Sequence, residues 1–146
     1  MFDNKLTIIL PIKNRNDFTH RWLDYANISK IPFKILLADG SSKNFKYDES
    51  YLLKYRNINI EYFYNGFDSS YQSYHSKMYN ALSKVNTEYC CLISNDDFQI
   101  ISSLKKQLNF LISNPEYSVC IGKVYDFIIL KDYKTKTKYP RYGNLQ

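Results

Sequence analysis

The chain has 146 residues with 45% hydrophobic and 23% charged side chains, which predicts one soluble globular domain and excludes a disordered polymer. Its four glycines are too widely spaced for a dinucleotide fingerprint or a P-loop, both of which bring clustered backbone N–H groups against phosphates. The formal net charge is +6. Residues 131–146 hold Lys131, Lys134, Lys136, Lys138 and Arg141 against Asp132, so the body is nearly neutral and the tail is basic. That distribution argues against nucleic acid as the partner.

No apolar run approaches the ~20 residues needed to cross a bilayer, and the first residues lack a signal-peptide pattern. Cys90, Cys91 and Cys120 form no C-x-x-C pair. They read as buried, reduced thiols of a cytoplasmic protein.

Leu6 to Pro11 is a continuous apolar run, the pattern of a strand buried on both faces, whose ladder should stop at the donor-less Pro11. Polar residues 13–17 follow. A helical pattern then carries Phe18, Trp22, Tyr25 and Ala26, with Asn16 or Asp17 as the expected cap. Phe33 to Ala38 predicts a second strand ending at Asp39-Gly40-Ser41-Ser42. A short helix around Ser50 to Lys54 leads to a third strand, Ile58 to Tyr64. Tyr71, Tyr74, Met78, Leu82 and Val85 then recur at helical spacing, with Asp68 to Ser70 available as caps. A fourth strand, Tyr89 to Ile93, ends in Ser94-Asn95-Asp96-Asp97. After it come a helix bearing Ile101, Leu104, Leu108, Leu111 and Ile112, and a fifth strand within Val119 to Leu130.

Alternating strands and helices with short connections predict an α/β fold with a mostly parallel sheet covered on both faces. The ligand of such a sheet sits at the carboxyl ends of its strands. Lys13-Asn14-Arg15, Asp39 and Asn95-Asp96-Asp97 all fall there. Adjacent carboxylates repel unless a cation shares them, so Asp96 and Asp97 read as contacts to a hard divalent ion, or else as a helix cap beside a solvated neighbour. Asp39 is open to two readings, a self-bonded Asx-turn or an acceptor for a ligand base. Lys77 lies off the apolar stripe of its helix, where a solvated surface lysine is the usual explanation. It and Arg15 are also candidate phosphate or base contacts. His20 and His75 have no ligand partners in the pattern, and no catalytic triad is visible.

These segments together resemble the nucleotide-sugar-binding half of a glycosyltransferase of family 2, with the GT-A fold. The resemblance is carried by Thr7 to Arg15, Ile35 to Ser42, Lys77 to Leu82 and Leu92 to Phe98, and it covers about residues 5–130. It implies a Rossmann-like sandwich with a mostly parallel central sheet flanked by helices. Residues 1–130 would form the donor-binding domain, and 131–146 a basic tail or the start of a linker or acceptor region. It further implies that Pro11, Asn14 and Arg15 line the nucleoside pocket, that Asp39 accepts from the base, and that Lys77 faces base or diphosphate. Asp97 would hold Mn²⁺ or Mg²⁺, and Asp96 or Asn95 would reach ribose or sugar.

The reaction implied is inverting transfer from a nucleotide-diphosphate sugar, UDP-linked by preference, to a glycan or lipid-linked acceptor. Polysaccharide biosynthesis at the inner face of a membrane, with at most peripheral attachment, is the matching setting. Two departures stand out. Asn95 occupies the first position of the D-x-D segment, and neither Asp126 nor Asp132 matches the family's catalytic base. The expectation is therefore a truncated chain, one domain of a longer enzyme, or a donor-binding remnant. The alternative is a catalytically incomplete domain acting as a binding or assembly module.

Overall fold

The computed structural model describes residues 4–43, 46–125, 127–131 and 138–142. Among the described residues ten elements follow in chain order: β1 (Leu6–Ile12), α1 (Asn16–Ile28), β2 (Lys34–Asp39), a 3-10 helix (Glu49–Lys54), β3 (Asn59–Tyr64), α2 (Tyr71–Ser83), β4 (Tyr89–Leu92), α3 (Ile101–Ser113), β5 (Phe127–Lys131) and β6 (Lys138–Tyr142). The chain divides into two compact units, Met1–Lys105 and Lys106–Gln146.

The first unit is a four-stranded sheet in the order β3-β2-β1-β4, and every neighbouring pair is parallel. The order explains how both faces are covered. The chain steps outward from β1 to β2 to β3, then returns across β1 to place β4 on its other side. Right-handed crossovers in opposite directions put their helices on opposite faces. On one face, Ile9, Leu36 and Ala38 pack with Ala81, together with Met78 and Phe63. Side chains alternate along a strand, so Ile8, Leu10, Ile35 and Leu37 face the other way, and they are just as fully buried. Trp22, Leu23 and Ala26 of α1 are also without solvent contact. The sequence expectation of an α/β, mostly parallel sheet flanked by helices holds.

Local expectations at β1, α1 and β4 need correction. β1 continues one residue past Pro11, because the missing donor faces away from β2. Ile9 serves β4, accepting from Ile93 N, and Ile12 serves β2, accepting from Gly40 N. Pro11 shares the orientation of Ile9 and lies beyond the end of the β4 ladder, so no bond is lost. The residue capping α1 is Arg15, with no side-chain cap bond, rather than Asn16 or Asp17. α2 starts within the expected caps, at Ser70, with a capping box in which the Ser70 and Ser73 side chains bond each other's backbone N–H groups.

A further correction concerns β4. It is a sheet edge, with Cys90 exposed and Leu92 58% exposed, so the expectation of buried thiols fails for Cys90. Cys91 points inward, and burial pushes its thiol up to about 12. All three cysteines are free.

The second unit contains a two-stranded antiparallel sheet of β5 and β6. Residues 119–125 form no regular strand, so the expected fifth strand begins later, at Phe127. Asp126, Asp132 and most of the basic tail lie outside the described residues. Among the described residues no helix is long and apolar enough to cross a membrane.

Candidate functional site

The strand order reverses between β1 and β4, and a parallel sheet opens a crevice at the carboxyl edge where its order reverses. Residues 13–15 follow β1 at that edge, and residues 93–97 follow its neighbour β4. Arg15 and Asp96 join the two segments, Nη1 to Oδ2 at 3.0 Å, with both side chains substantially exposed. The Ser94 hydroxyl also donates to Asp96. That hydrogen bond, reinforced by the Arg15 guanidinium, holds the Asp96 carboxyl below its ordinary range. The cation required by two adjacent carboxylates is thus partly supplied from within. Asp97 is exposed, and its amide closes a turn onto the Ser94 carbonyl at 3.3 Å.

Asn95 lies between these two carboxylate-bearing neighbours and the interior. It is buried, and its amide donates to Thr19 Oγ1 at 3.0 Å and to the Arg15 carbonyl at 3.4 Å. Its side chain therefore anchors the segment after β4 to the first turn of α1.

Asn14 takes a left-handed conformation, φ 54°, which an asparagine tolerates better than most side chains. The turn lets its amide donate to Ser41 Oγ at 2.8 Å while its Oδ1 accepts from Ser42 N at 2.9 Å. The ends of β1 and β2 are laced together by this one residue. Pro11 pairs in register with Ala38 and is partly exposed.

Asp39 ends β2 with no solvent exposure. Its Oδ1 accepts from Ser41 N at 2.8 Å, which is the Asx-turn. Its Oδ2 accepts from Tyr47 N and from the Tyr62 hydroxyl, both at 2.9 Å. Burial raises the Tyr62 phenol well above its ordinary value, and the bond to Asp39 raises it further. The phenol is thus a firm donor at neutral pH.

Lys77 corrects the reading of a solvated surface lysine, for it is only 1% exposed. Its Nζ donates to Asp68 Oδ2 at 2.5 Å and to the Ile12 carbonyl at 3.1 Å. Asp68 appeared in the sequence only as a possible helix cap. Tyr47 and Tyr62 carried no signal at all, because their partnership with Asp39 spans 8 and 23 residues.

A divalent ion of the Mg²⁺ type needs only one or two protein carboxylates, with water and substrate phosphate completing its shell. Asp96 and Asp97 are the exposed carboxylates on the segment after β4, and Asp96 is already paired with Arg15. Among the described residues no group of three or more His, Cys, Asp or Glu side chains is placed to hold a metal by itself.

No family model matches the sequence, and no curated protein matches it. Solved structures do match. The chain superposes on S. aureus TarS 1-349 with a TM-score of 0.60 at 19% identity, over 76% of this chain and 33% of that one. A second TarS structure gives a TM-score of 0.58 at 18% identity, over 75% of this chain and 20% of that one. TarS is a glycosyltransferase. The likeness is one of fold. The chain spans about a third or less of the length of the TarS chains it matches.

Proposed function

We propose that this chain is the donor-binding half of a glycosyltransferase. It would transfer a sugar from a nucleotide-diphosphate sugar, UDP-linked by preference, to a glycan or lipid-linked acceptor by inverting displacement. The observation that carries the reading is the Arg15–Asp96 pair at the β1/β4 switch point, on a fold that superposes on TarS.

In this reading Pro11, Asn14 and Arg15 line the nucleoside end, and Asp96 approaches the ribose or sugar. Asp97 is the protein ligand for Mn²⁺ or Mg²⁺, which would supply charge stabilisation to the departing diphosphate. Asn95, Asp39 and Lys77 belong to the same site but act from beneath it, through the backbone segments they hold. The acceptor half and the base would be supplied by further domains, in a cytoplasmic enzyme at most peripherally attached to a membrane.

The second reading, a binding or assembly module without catalysis, is favoured by one observation. Asn95 stands at the first position of the D-x-D segment and is committed to Thr19.

A thermal-shift titration with UDP and Mn²⁺, on wild type and Asp97→Ala, separates the two. Ligand at about 100 times its dissociation constant should stabilise by about 2.7 kcal/mol. In a chain of this size the melting temperature should rise roughly 5–10 °C. The donor-site reading expects that rise to need both metal and Asp97. The module reading expects no shift with either protein.

A further inference from the structure

We propose that Lys77 and Asp68 are positioning residues: a buried ion pair that pins the chain leaving β1 against the turn after β2 and so sets the geometry of residues 13–15, without Lys77 touching the ligand. The consequence for binding rests on the donor-site reading above, whereas the positioning itself does not.

Lys77 and Asp68 are 1% and 3% exposed, and their charged atoms are 2.5 Å apart. An ammonium has three N–H donors. One goes to Asp68 Oδ2 and one to the Ile12 carbonyl, and the face of the Tyr74 ring lies 5.3 Å from Nζ. Two of its three donors are thus taken by the protein and a ring lies beside the cation, so a phosphate would have to compete with these partners inside a sealed site.

Asp68 is tied equally tightly through its backbone. Its N–H donates to the Gly40 carbonyl at 2.9 Å, and its own carbonyl accepts from Lys13 Nζ at 2.5 Å. Its carboxylate rests against Gly40, where an added Cβ would stand 2.1 Å from Oδ2. Glycine is required there by close approach. Four segments therefore converge on one pair: α2, the loop before it, the end of β1 and the turn after β2. Directly beyond the pinned Ile12 and Lys13 come the left-handed turn at Asn14 and then Arg15.

Burying two charges costs desolvation, so such a pair adds little net stability compared with a well-packed apolar one. What it supplies is a defined geometry, because each charge accepts few arrangements of its partners. Truncating one partner also leaves the other charge buried and unpaired, which is strongly unfavourable.

The test compares wild type with Asp68→Asn, Lys77→Met, the neutral double variant, and Gly40→Ala, which keeps both charges but displaces the carboxylate. Two quantities are read. One is the position of the Asn14, Arg15, Ser41 and Ser42 amides in a ¹⁵N–¹H spectrum without ligand. The other is the UDP dissociation constant with Mn²⁺ by calorimetry.

Positioning predicts that all four amides move in Asp68→Asn, Lys77→Met and Gly40→Ala. It also predicts roughly fivefold or greater weakening of UDP binding in each, with the double variant no weaker than the worse single one, as expected for residues of one network. Unmoved amides overturn the proposal, even where the melting temperature falls. So does UDP binding that is lost in Lys77→Met yet intact in Asp68→Asn, which would mark Lys77 as a direct contact. If a single variant does not fold, the double variant, which leaves no unpaired charge, and Gly40→Ala carry the same comparison. If wild type does not bind UDP, the donor reading fails, and the ligand-free amides still decide whether the pair positions the turn.

Discussion

The charged side chains near the sheet's carboxyl edge divide by burial into two groups. Asp39, Asp68 and Lys77 are enclosed and spend their hydrogen bonds on backbone groups, on the Tyr62 hydroxyl and on one another. Arg15, Asp96 and Asp97 remain accessible. A carboxylate with three internal donors, as at Asp39, organises its surroundings whether or not a ligand comes near. Asp96 makes the contrasting case testable by pH. Its folded carboxyl is held below the ordinary value of about 4, so the stability it contributes is fully present above that value. That contribution is lost as pH falls through the lowered folded value. Urea midpoints of wild type and Asp96→Asn should therefore differ by the same amount at pH 7 and pH 5, and converge towards pH 3. A gap that already closes between pH 7 and pH 5 would show that the Ser94 and Arg15 contacts do not hold in solution.

Among the elements, the helices differ most at their starts. α2 begins with a reciprocal Ser70/Ser73 cap, whereas α1 begins at Arg15 with no side-chain cap. Replacing Ser70 by Ala should cost about 1 kcal/mol, read as a lowered urea midpoint with an unchanged slope. No comparable loss should follow Asp17→Ala, since Asp17 is not the cap of α1.

The helix and strand segments themselves were legible, because buried parallel strands appear as unbroken apolar runs and helices as 3.6-residue stripes. Edges and caps were less so. Tyr89-Cys90-Cys91-Leu92 has the composition of a buried strand, yet it lies at the margin of the sheet with Cys90 and Leu92 outward. Composition does not reveal how many neighbours a strand has.

For the whole molecule, the sheet order predicts where stability concentrates. β1 and β2 are central and almost wholly buried, β3 is half-buried, and β4 alternates between half-buried and exposed. Amide exchange should be slowest in Ile8 to Leu10 and Ile35 to Leu37, and clearly faster in β4, where local opening exposes little apolar surface. Equal protection across all four strands would contradict that gradient.

The order of strands and helices, the α/β class and the gathering of polar residues at strand ends all follow from local patterns, since each depends on residues adjacent in the chain. Which of those polar residues face a ligand does not. Lys77 and Asp68 are nine positions apart, but Lys77 and Ile12 are separated by 65. Arg15 and Asp96 are separated by 81. Only the parallel register of β1 with β2 and β4 brings these groups within bonding distance. Only the packing around them decides that Lys77 is sealed inside while Asp97 meets solvent.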